Sequence, residues 1–340
     1  ASAIALSETT KMTGRELISA IAIGNEIACR VGSVASGQFH KRGLHPTGLF
    51  APFGVAYLAA KVLDLSEAET ASAAGIVGSF ASGLLECWVD GTESKFLHAG
   101  WAAQGGITAA HLARRGITGP PRVFEGRFGL FESHLQDPNA SPDYGRIRDD
   151  LGMHWESRNS SFKPFPAAHV LHPYIDAALR LVREQGINAG NIEEIRCPVA
   201  EFIVPIVCEP VAEKQAPRTT AHGRVTLQYT LAEAICRGEL GREAYQEEAL
   251  GDPEILGLAS RVRHYVDPQF PGPGRFKGAV EVRLKDGRFL LEVEEHTRGS
   301  RENPMSYEEL RAKFDDNSRA FLNRDQQDNV ARTIARLETL

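Results

Sequence analysis

Apolar residues recur with helical spacing along the first third of the chain. Residues 13–16, Thr-Gly-Arg-Glu, have the form of a capping box ahead of an apolar run, and residues 66–69, Ser-Glu-Ala-Glu, repeat that form. Residues 54–62 and 99–116 also have a helical pattern, and the latter ends at Gly116. Because these segments are rich in Ala, Gly and Ser, which let backbones approach closely, we expect an all-α core.

The pattern changes in the second half of the chain. Residues 173–184 and 225–238 are predicted to be helical, whereas residues 193–199 have the composition of a strand. Residues 278–295 alternate apolar and charged positions on both sides of Lys-Asp-Gly, which predicts a β-hairpin. This part is therefore predicted to be an α+β domain.

Two further segments frame that domain. Residues 119–160 contain four prolines among scattered charges and predict a long connection with a short helix or two. Ser306 and Glu309 form a third capping box, after which the chain is helical and strongly charged. A terminal helical segment of this kind is expected to pack back on the first domain.

The composition narrows the class of protein. Of 340 residues, 42% are hydrophobic and 24% are charged, as in ordinary globular proteins. The net charge of -6, without a basic run longer than a pair, argues against nucleic acid or an acidic membrane as a partner. The five cysteines include no C-x-x-C pair, which disfavours a disulfide framework. With no signal peptide or apolar span recognised, a cytoplasmic location is expected.

Four short stretches combine basic or titratable residues with glycine, proline and apolar neighbours: 40–48, 91–100, 161–172 and 224–231. A single His or Lys is usually structural or solvated. Lys95 and Lys163, however, both lie among apolar residues, where a charged amine needs an anion or another partner nearby. Lys and His neutralise a carboxylate and make the adjacent C–H more acidic, while a neutral His can remove the proton and a Tyr can donate one. The pattern thus indicates chemistry on small carboxylates.

Other kinds of site are disfavoured. The sequence contains no P-loop, H-E-x-x-H motif, convincing dinucleotide fingerprint or nucleophile elbow. The histidine pairs His40/His45 and His169/His172 make a metal site conceivable, but these motifs contain no neighbouring Asp or Cys. We therefore expect no metal.

Taken together and in order, the motifs resemble the MmgE/PrpD family. They are RGLHPTG at 42–48, ASGL at 81–84, GTESKFLHAG at 91–100, Gly119-Pro120, KPFP at 163–166, His172 and Gln228-Tyr229. The resemblance covers nearly the whole chain. Known members of the family include 2-methylcitrate dehydratase, cis-aconitate decarboxylase and iminodisuccinate epimerase.

The resemblance implies a mainly α fold, in which a smaller α+β lid domain is inserted into an all-α helical domain. In this chain the helical domain would cover residues 1–160, the lid residues 161–302, and helices of residues 303–340 would return to the helical domain. The resemblance also implies a homodimer and an active site without cofactors between helical domain and lid, with a small carboxylate as substrate.

The resemblance also implies which residues form the site. The catalytic candidates are His45, Lys95, Lys163, His169 and Tyr229, and the candidate substrate-binding residues are His40, Arg42, Thr92, His98 and His172. The role of the histidines after Lys163 stays open, because His172 falls at the usual downstream histidine of the family and His169 lies nearer the position used by decarboxylase-like members. We favour His169 for the site.

Three functional hypotheses follow. The first is a lyase, either a dehydratase or a decarboxylase, that abstracts a proton next to a carboxylate of a small di- or tricarboxylate. The alternatives are an epimerase that uses the same groups, and a dimeric protein without catalytic activity. Members of the family ordinarily begin about a hundred residues earlier with a segment that supplies an Asp and a His. We expect this chain to lack it, either as a fragment or as a short relative.

Overall fold

The computed structural model describes residues 1–272 and 274–340, and this part of the chain is mainly helical with a four-stranded sheet. The chain divides into two compact units. The first comprises Ala1–Val89, Glu93–Asn159 and Asn329–Leu340, and the second comprises Asp90–Thr92 and Ser160–Asp328. The predicted mainly α class is confirmed, whereas the inserted lid and its boundaries stay predictions.

The chain up to residue 159 forms short and long helices. They are α1 (Ser2–Ser7), α2 (Gly14–Ser33), α3 (Gln38–Lys41), α4 (Pro46–Val62), α5 (Glu67–Gly78), α6 (Cys87–Asp90), α7 (Ser94–Arg114), α8 (Leu130–Leu135), α9 (Gly145–Arg148) and the 3-10 helix Glu156–Asn159.

Local sequence accounts for where several of these helices begin. Both predicted capping boxes are present: the Thr13 side chain accepts from the Glu16 backbone N–H and the Glu16 carboxylate accepts from the Thr13 N–H, and Ser66 and Glu69 do the same at α5. Helix α4 begins eight residues earlier than predicted, at Pro46, whose ring presets a helical φ at the first position. The sequence pattern does not predict the earlier start, because α4 is buried on nearly every side and so lacks an amphipathic stripe.

Helix α4 forms the centre of the first unit, packed between α2 and α7. A Cβ added at Gly54 would lie 2.2 Å from the carbonyl oxygen of Gly24 on α2. A Cβ added at Gly106 on α7 would lie 2.5 Å from Cβ of Val55. The helices therefore meet at backbone distance, which explains the richness of this part of the sequence in small residues.

A buried ion pair fixes the connection after α8 to helix α2. Arg30, which is 2% exposed, donates from Nε to the Glu26 carboxylate at 2.6 Å and from its terminal nitrogens to the carbonyl oxygens of Asp149 and His154, each at 2.7 Å. The second oxygen of Glu26 accepts from the Ser157 N–H at 2.9 Å. Every charge in this pair is thus matched by hydrogen bonds, as burial requires.

The rest of the chain contains both helices and strands. The helices are α10 (His172–Gln185), α11 (Val211–Gln215), α12 (Thr220–Gly223), α13 (Leu227–Arg237), α14 (Glu247–Leu250), α15 (Pro253–Ala259), α16 (Tyr307–Ser318) and α17 (Arg324–Ala335), with 3-10 turns at His169–Leu171, Glu201–Ile203 and Leu337–Thr339 and a π-turn at Val204–Cys208. The strands are β1 (Ile192–Val199), β2 (Val262–Val266), β3 (Gly278–Leu284) and β4 (Phe289–Glu294).

The sheet of the second unit has the strand order β2-β1-β3-β4. Strand β1 pairs in parallel with β2 and antiparallel with β3, and β3 and β4 form the predicted hairpin, which is confirmed. Helix α10 packs on β3 and β4, where Arg180 bonds to the carboxylates of Glu292 and Glu294. Ser306 and Glu309 form the third capping box, at the start of α16. In the part of the chain described, no helix has the length and apolarity needed to cross a bilayer.

Substitution Gly54→Ala is expected to destabilise the protein by about 1–3 kcal/mol, because the added methyl group meets the backbone of α2. The free energy of unfolding in urea measures this loss. Gly100→Ala is the matched control, since Gly100 lies in helix α7 with open space around its Cα, and there alanine should add up to about 1 kcal/mol of stability. Equal effects of the two substitutions would contradict the close approach of α2 and α4.

Candidate active site

Two of the sequence motifs are held together at the start of helix α4. The backbone N–H of His45 donates to the carbonyl of Gly83 at 2.8 Å, and the N–H of Leu85 donates to the carbonyl of Gly43 at 2.8 Å. A Cβ added at Gly48 would lie 2.1 Å from the carbonyl oxygen of Ser82, so this position requires glycine. The loop of residues 42–48 and the segment of residues 81–85 thus form one rigid support for His45.

His45 and His98 share a hydrogen bond between their rings. The two Nδ1 atoms lie 2.9 Å apart, and the ring centroids lie 5.1 Å apart. His98 lies in the first turns of α7, where its ring packs on Gly83, since a Cβ added there would lie 3.3 Å from Nδ1 of His98. One ring must donate the proton and the other must accept it, so the pair holds a single proton between its Nδ1 atoms.

Lys95 and His40 both contact the Trp88 indole. The Lys95 Nζ lies 5.9 Å from the ring centroid, within cation–π range, and the His40 ring stacks at 6.2 Å. Desolvation, and then the positive charge of Lys95, lower the pKa of His40 and of His98 below the ordinary histidine value. Both imidazoles are therefore predominantly neutral near pH 7, next to a lysine ammonium.

Two of the predicted substrate-binding residues each contact a carboxylate of their own unit. Arg42 forms an ion pair with Asp137, with Nη2 and Oδ2 3.2 Å apart and both side chains more than a third exposed. Thr92, in the second unit, donates from Oγ1 to the Asp90 carboxylate at 2.8 Å and from its backbone N–H at 3.0 Å. Exposed pairs of the first kind are weak, and a substrate anion can compete with them.

The second unit brings Lys163, His169 and His172 together. The Lys163 Nζ lies 3.5 Å from the carbonyl oxygen of Ala167, and the ring centroids of His169 and His172 lie 5.1 Å apart. The side chain of His172 has no exposed surface, and its Nε2 lies 3.3 Å from the Ala167 carbonyl, whereas His169 is half-buried. These contacts suit a structural role for His172 and leave His169 as the more accessible imidazole.

Burial determines the charge of both imidazoles. Desolvation, with a smaller contribution from the charge of Lys163, lowers the pKa of His169 to about 4. Desolvation, followed by the proximity of His169, lowers the pKa of His172 to about 3. At neutral pH both rings are uncharged, so His169 can accept a proton but does not supply one.

Tyr229 lies in the first turn of α13 with no exposed surface. Its hydroxyl has no hydrogen-bond partner among the described residues, and its ring centroid lies 6.2 Å from that of Tyr245. Burial raises the pKa of the Tyr229 hydroxyl, so it stays protonated. A buried donor without a partner is costly, and a functional role for this hydroxyl would explain why the cost is tolerated.

Residues that the sequence did not indicate support α13. The buried Lys214 amine donates to the carbonyls of Ile206 and Val225 at 2.9 and 3.0 Å, and burial lowers its pKa to about 8. The buried Glu233 carboxylate accepts from the backbone N–H of Tyr245, which has a positive φ of 63°. A bulky residue in that region is strained, but no local sequence pattern reveals it.

The structure therefore places most of the predicted residues in three groups. His40, His45, Lys95 and His98 lie close together in the first unit, and Lys163, His169 and His172 do so in the second. Tyr229 belongs to a third cluster with Tyr245, Thr230 and Glu233. Within the described residues there is no group of three or more His, Cys, Asp or Glu side chains arranged to hold a metal ion.

Two domains of one known protein family match this chain. The MmgE/PrpD N-terminal domain matches residues 1–143, and the MmgE/PrpD C-terminal domain matches residues 165–339. The chain belongs to the MmgE/PrpD family. The matches do not bear out the expectation that the first part of the family is missing from this chain.

Curated relatives of this chain are named as decarboxylases or dehydratases. A cis-aconitate decarboxylase-like protein of Aspergillus oryzae is 25% identical over 96% of this chain and 69% of its own length. Cis-aconitate decarboxylase of Homo sapiens is 27% identical over 99% of this chain and 69% of its own. The 2-methylcitrate dehydratase of Salmonella typhi is 27% identical over 82% of this chain and 62% of its own length. By name, these relatives are lyases.

Substitution His172→Gln is expected to make the free energy of unfolding decrease less steeply as the pH is lowered. With a folded pKa of about 3 and an unfolded value near 6.5, the unfolded chain binds a proton that the folded chain does not. Stability contributed by His172 is therefore lost as the pH falls below 6.5, by up to about 1.4 kcal/mol per pH unit. Urea unfolding between pH 7 and pH 4 measures the slope.

Phe165→Leu is the matched control, because the Phe165 ring packs on His172 at a centroid distance of 5.5 Å but does not titrate. It should lower the free energy of unfolding by a similar amount at every pH. If His172→Gln left the slope unchanged, His172 would not be a neutral buried imidazole.

Proposed function

We propose that this protein is a lyase, a dehydratase or a decarboxylase, that acts on a small di- or tricarboxylate. The observation that carries the proposal is the arrangement of Lys95 beside the hydrogen-bonded imidazoles of His45 and His98. A fixed ammonium stabilises the negative charge that develops on a carboxylate-bearing carbon, and a neutral imidazole transfers the proton. Membership of the MmgE/PrpD family and the names of its relatives support the same class of reaction.

In the proposed reaction, Lys95 and Lys163 bind substrate carboxylates, and His45 or His169 transfers the proton. His169 acts as an acceptor, because its pKa of about 4 leaves it neutral at pH 7. The Tyr229 hydroxyl, which burial keeps protonated, serves as an auxiliary acid. His40, Arg42, Thr92, His98 and His172 are proposed to contact or support the substrate, and Arg42 would exchange Asp137 for a substrate carboxylate.

The substrates named for the relatives are the first ones to test. Cis-aconitate and 2-methylcitrate each present two or more carboxylates, which suits more than one lysine. We further propose that the protein acts without a cofactor, as a homodimer in the cytoplasm. Sedimentation of the purified protein tests the dimer.

Proton NMR in heavy water distinguishes the possible reactions. The protein is incubated with cis-aconitate, 2-methylcitrate or iminodisuccinate, and the signals of the C–H groups next to carboxylates are followed. Loss of carbon dioxide or water with the appearance of a new product identifies a lyase. Exchange of deuterium with inversion at one carbon identifies an epimerase, and no change in a correctly folded protein supports a dimer without catalytic activity.

Substitution Lys95→Met is expected to lower turnover at least about 100-fold, because it removes the ammonium that stabilises charge in the transition state. Its thermal midpoint should stay within a few degrees of that of the native protein, since a half-buried lysine contributes little packing. Lys41→Met, at an exposed position at the end of α3, is the matched control and should leave turnover unchanged. Full turnover of Lys95→Met would exclude Lys95 from the chemistry.

A further inference from the structure

The hydrogen bond between His45 and His98 determines which proton each ring can offer. A neutral imidazole carries one N–H, so a ring that donates from Nδ1 has a lone pair at Nε2, and a ring that accepts at Nδ1 carries its proton at Nε2. The Nδ1 atoms of His45 and His98 lie 2.9 Å apart, so one of the two rings donates from Nδ1 and the other accepts at Nδ1. The direction of this bond therefore sets whether Nε2 of His45 is a base or an acid.

We propose that His98 is a positioning residue that accepts the Nδ1 proton of His45 and thereby holds Nε2 of His45 as a proton acceptor. This assignment deepens the proposed function, on which it rests, by giving the proton transfer to a defined atom. His98 would act on the substrate through His45, rather than as a primary proton acceptor.

The surroundings of His98 keep its ring neutral, and the proposed role of His45 then gives the direction of the bond. Desolvation and the positive charge of Lys95, one turn earlier on α7, lower the pKa of His98, so a second proton on this ring is disfavoured. The charge of Lys95 and the ring of His45 both act on His98. Since Nδ1 of His45 is bonded to His98, His45 can take a substrate proton only at Nε2, which requires the shared proton on its own Nδ1 and a lone pair on Nδ1 of neutral His98 to accept it.

The backbone fixes both rings for this role. His45 precedes Pro46 at the start of α4, and its N–H is bonded to the Gly83 carbonyl at 2.8 Å. Gly83 also packs against the His98 ring, at 3.3 Å from Nδ1 for an added Cβ. Gly83 therefore contacts the backbone of His45 and the ring of His98, and a side chain at position 83 would press on the His98 ring next to Nδ1.

The proton balance of the step is simple. Nε2 of His45 takes a proton from the substrate carbon, and the electron pair of that C–H bond stays on the substrate, next to the carboxylate that Lys95 neutralises. His45 becomes an imidazolium whose Nδ1–H bond to neutral His98 is charge-assisted and stronger than before. In a dehydration, that electron pair forms the new double bond as the C–O bond breaks, and Nε2 gives its proton to the departing hydroxyl, which leaves as water and restores the starting pair.

The first test measures the tautomer of His45 without any substrate. In protein labelled with ¹⁵N-histidine, long-range proton–nitrogen NMR at pH 7.5 shows which ring nitrogen of His45 is protonated, and His45→Gln assigns the signals. We expect the proton at Nδ1 in the native protein and a shift toward the Nε2–H tautomer in His98→Leu. Finding Nε2–H in the native protein, or no change in His98→Leu, would overturn the proposal whatever the enzyme's substrate is.

The second test uses turnover of the substrate found by the NMR panel. His98→Leu should lower kcat about 100-fold or more with a less than threefold change in KM, since a positioned general base contributes about 10² to 10⁴. His98→Asn places an amide oxygen near the position of Nδ1 and should recover most of kcat. Failure of that rescue in a folded variant whose His45 keeps the Nδ1 proton would show that accepting this proton is not what His98 contributes.

The matched control is His111→Leu, which changes an exposed histidine on the same helix α7. It should alter neither the tautomer of His45 nor turnover. If no substrate in the panel reacts, the proposed function fails while the tautomer measurement still decides the assignment of His98.

Discussion

The contact of helix α4 with its neighbours at backbone distance is the constraint on which the first unit depends. Gly24, Gly54 and Gly106 let α2 and α7 approach α4 so closely that no Cβ fits between them. The same helix begins at His45 and Pro46, where Gly48 meets the Ser82 carbonyl. Because α4 is held by close packing, the backbone of His45 at its start is held too.

Desolvation and a neighbouring lysine charge both lower the pKa of histidines in the two units. Burial lowers the pKa of His98 and His169, and the ammonium groups of Lys95 and Lys163 lower them further. Each unit therefore combines a permanent positive charge with a neutral ring that can take a proton. This combination suits a substrate that brings negative charge with it, because a bound carboxylate relieves the repulsion that the lysine imposes.

Buried polar side chains of the second unit hold helix α13 in place through hydrogen bonds. Lys214 bonds to the carbonyl just before this helix, Gln228 bonds to the Cys208 carbonyl, and Glu233 caps the strained backbone of Tyr245. Burying an amine and a carboxylate is unfavourable unless each is hydrogen-bonded, as both are here. The outcome is a helix held at several points that carries Tyr229, whose hydroxyl, like the side-chain oxygen of Gln228, is buried without a hydrogen-bond partner among the described residues.

The sequence by itself determined the features that depend on near neighbours. These features are the three capping boxes, the hairpin of β3 and β4, and the family motifs around His45, Lys95 and Lys163. Each of them depends on residues close together in the chain, so the sequence alone predicts it. Tertiary structure decided the rest. His45 and His98 are 53 residues apart, and Arg42 and Asp137 are 95 apart. The start of α4 and the burial of Tyr229 also depend on packing, because the partners that fix them come from distant segments whose meeting no local pattern encodes.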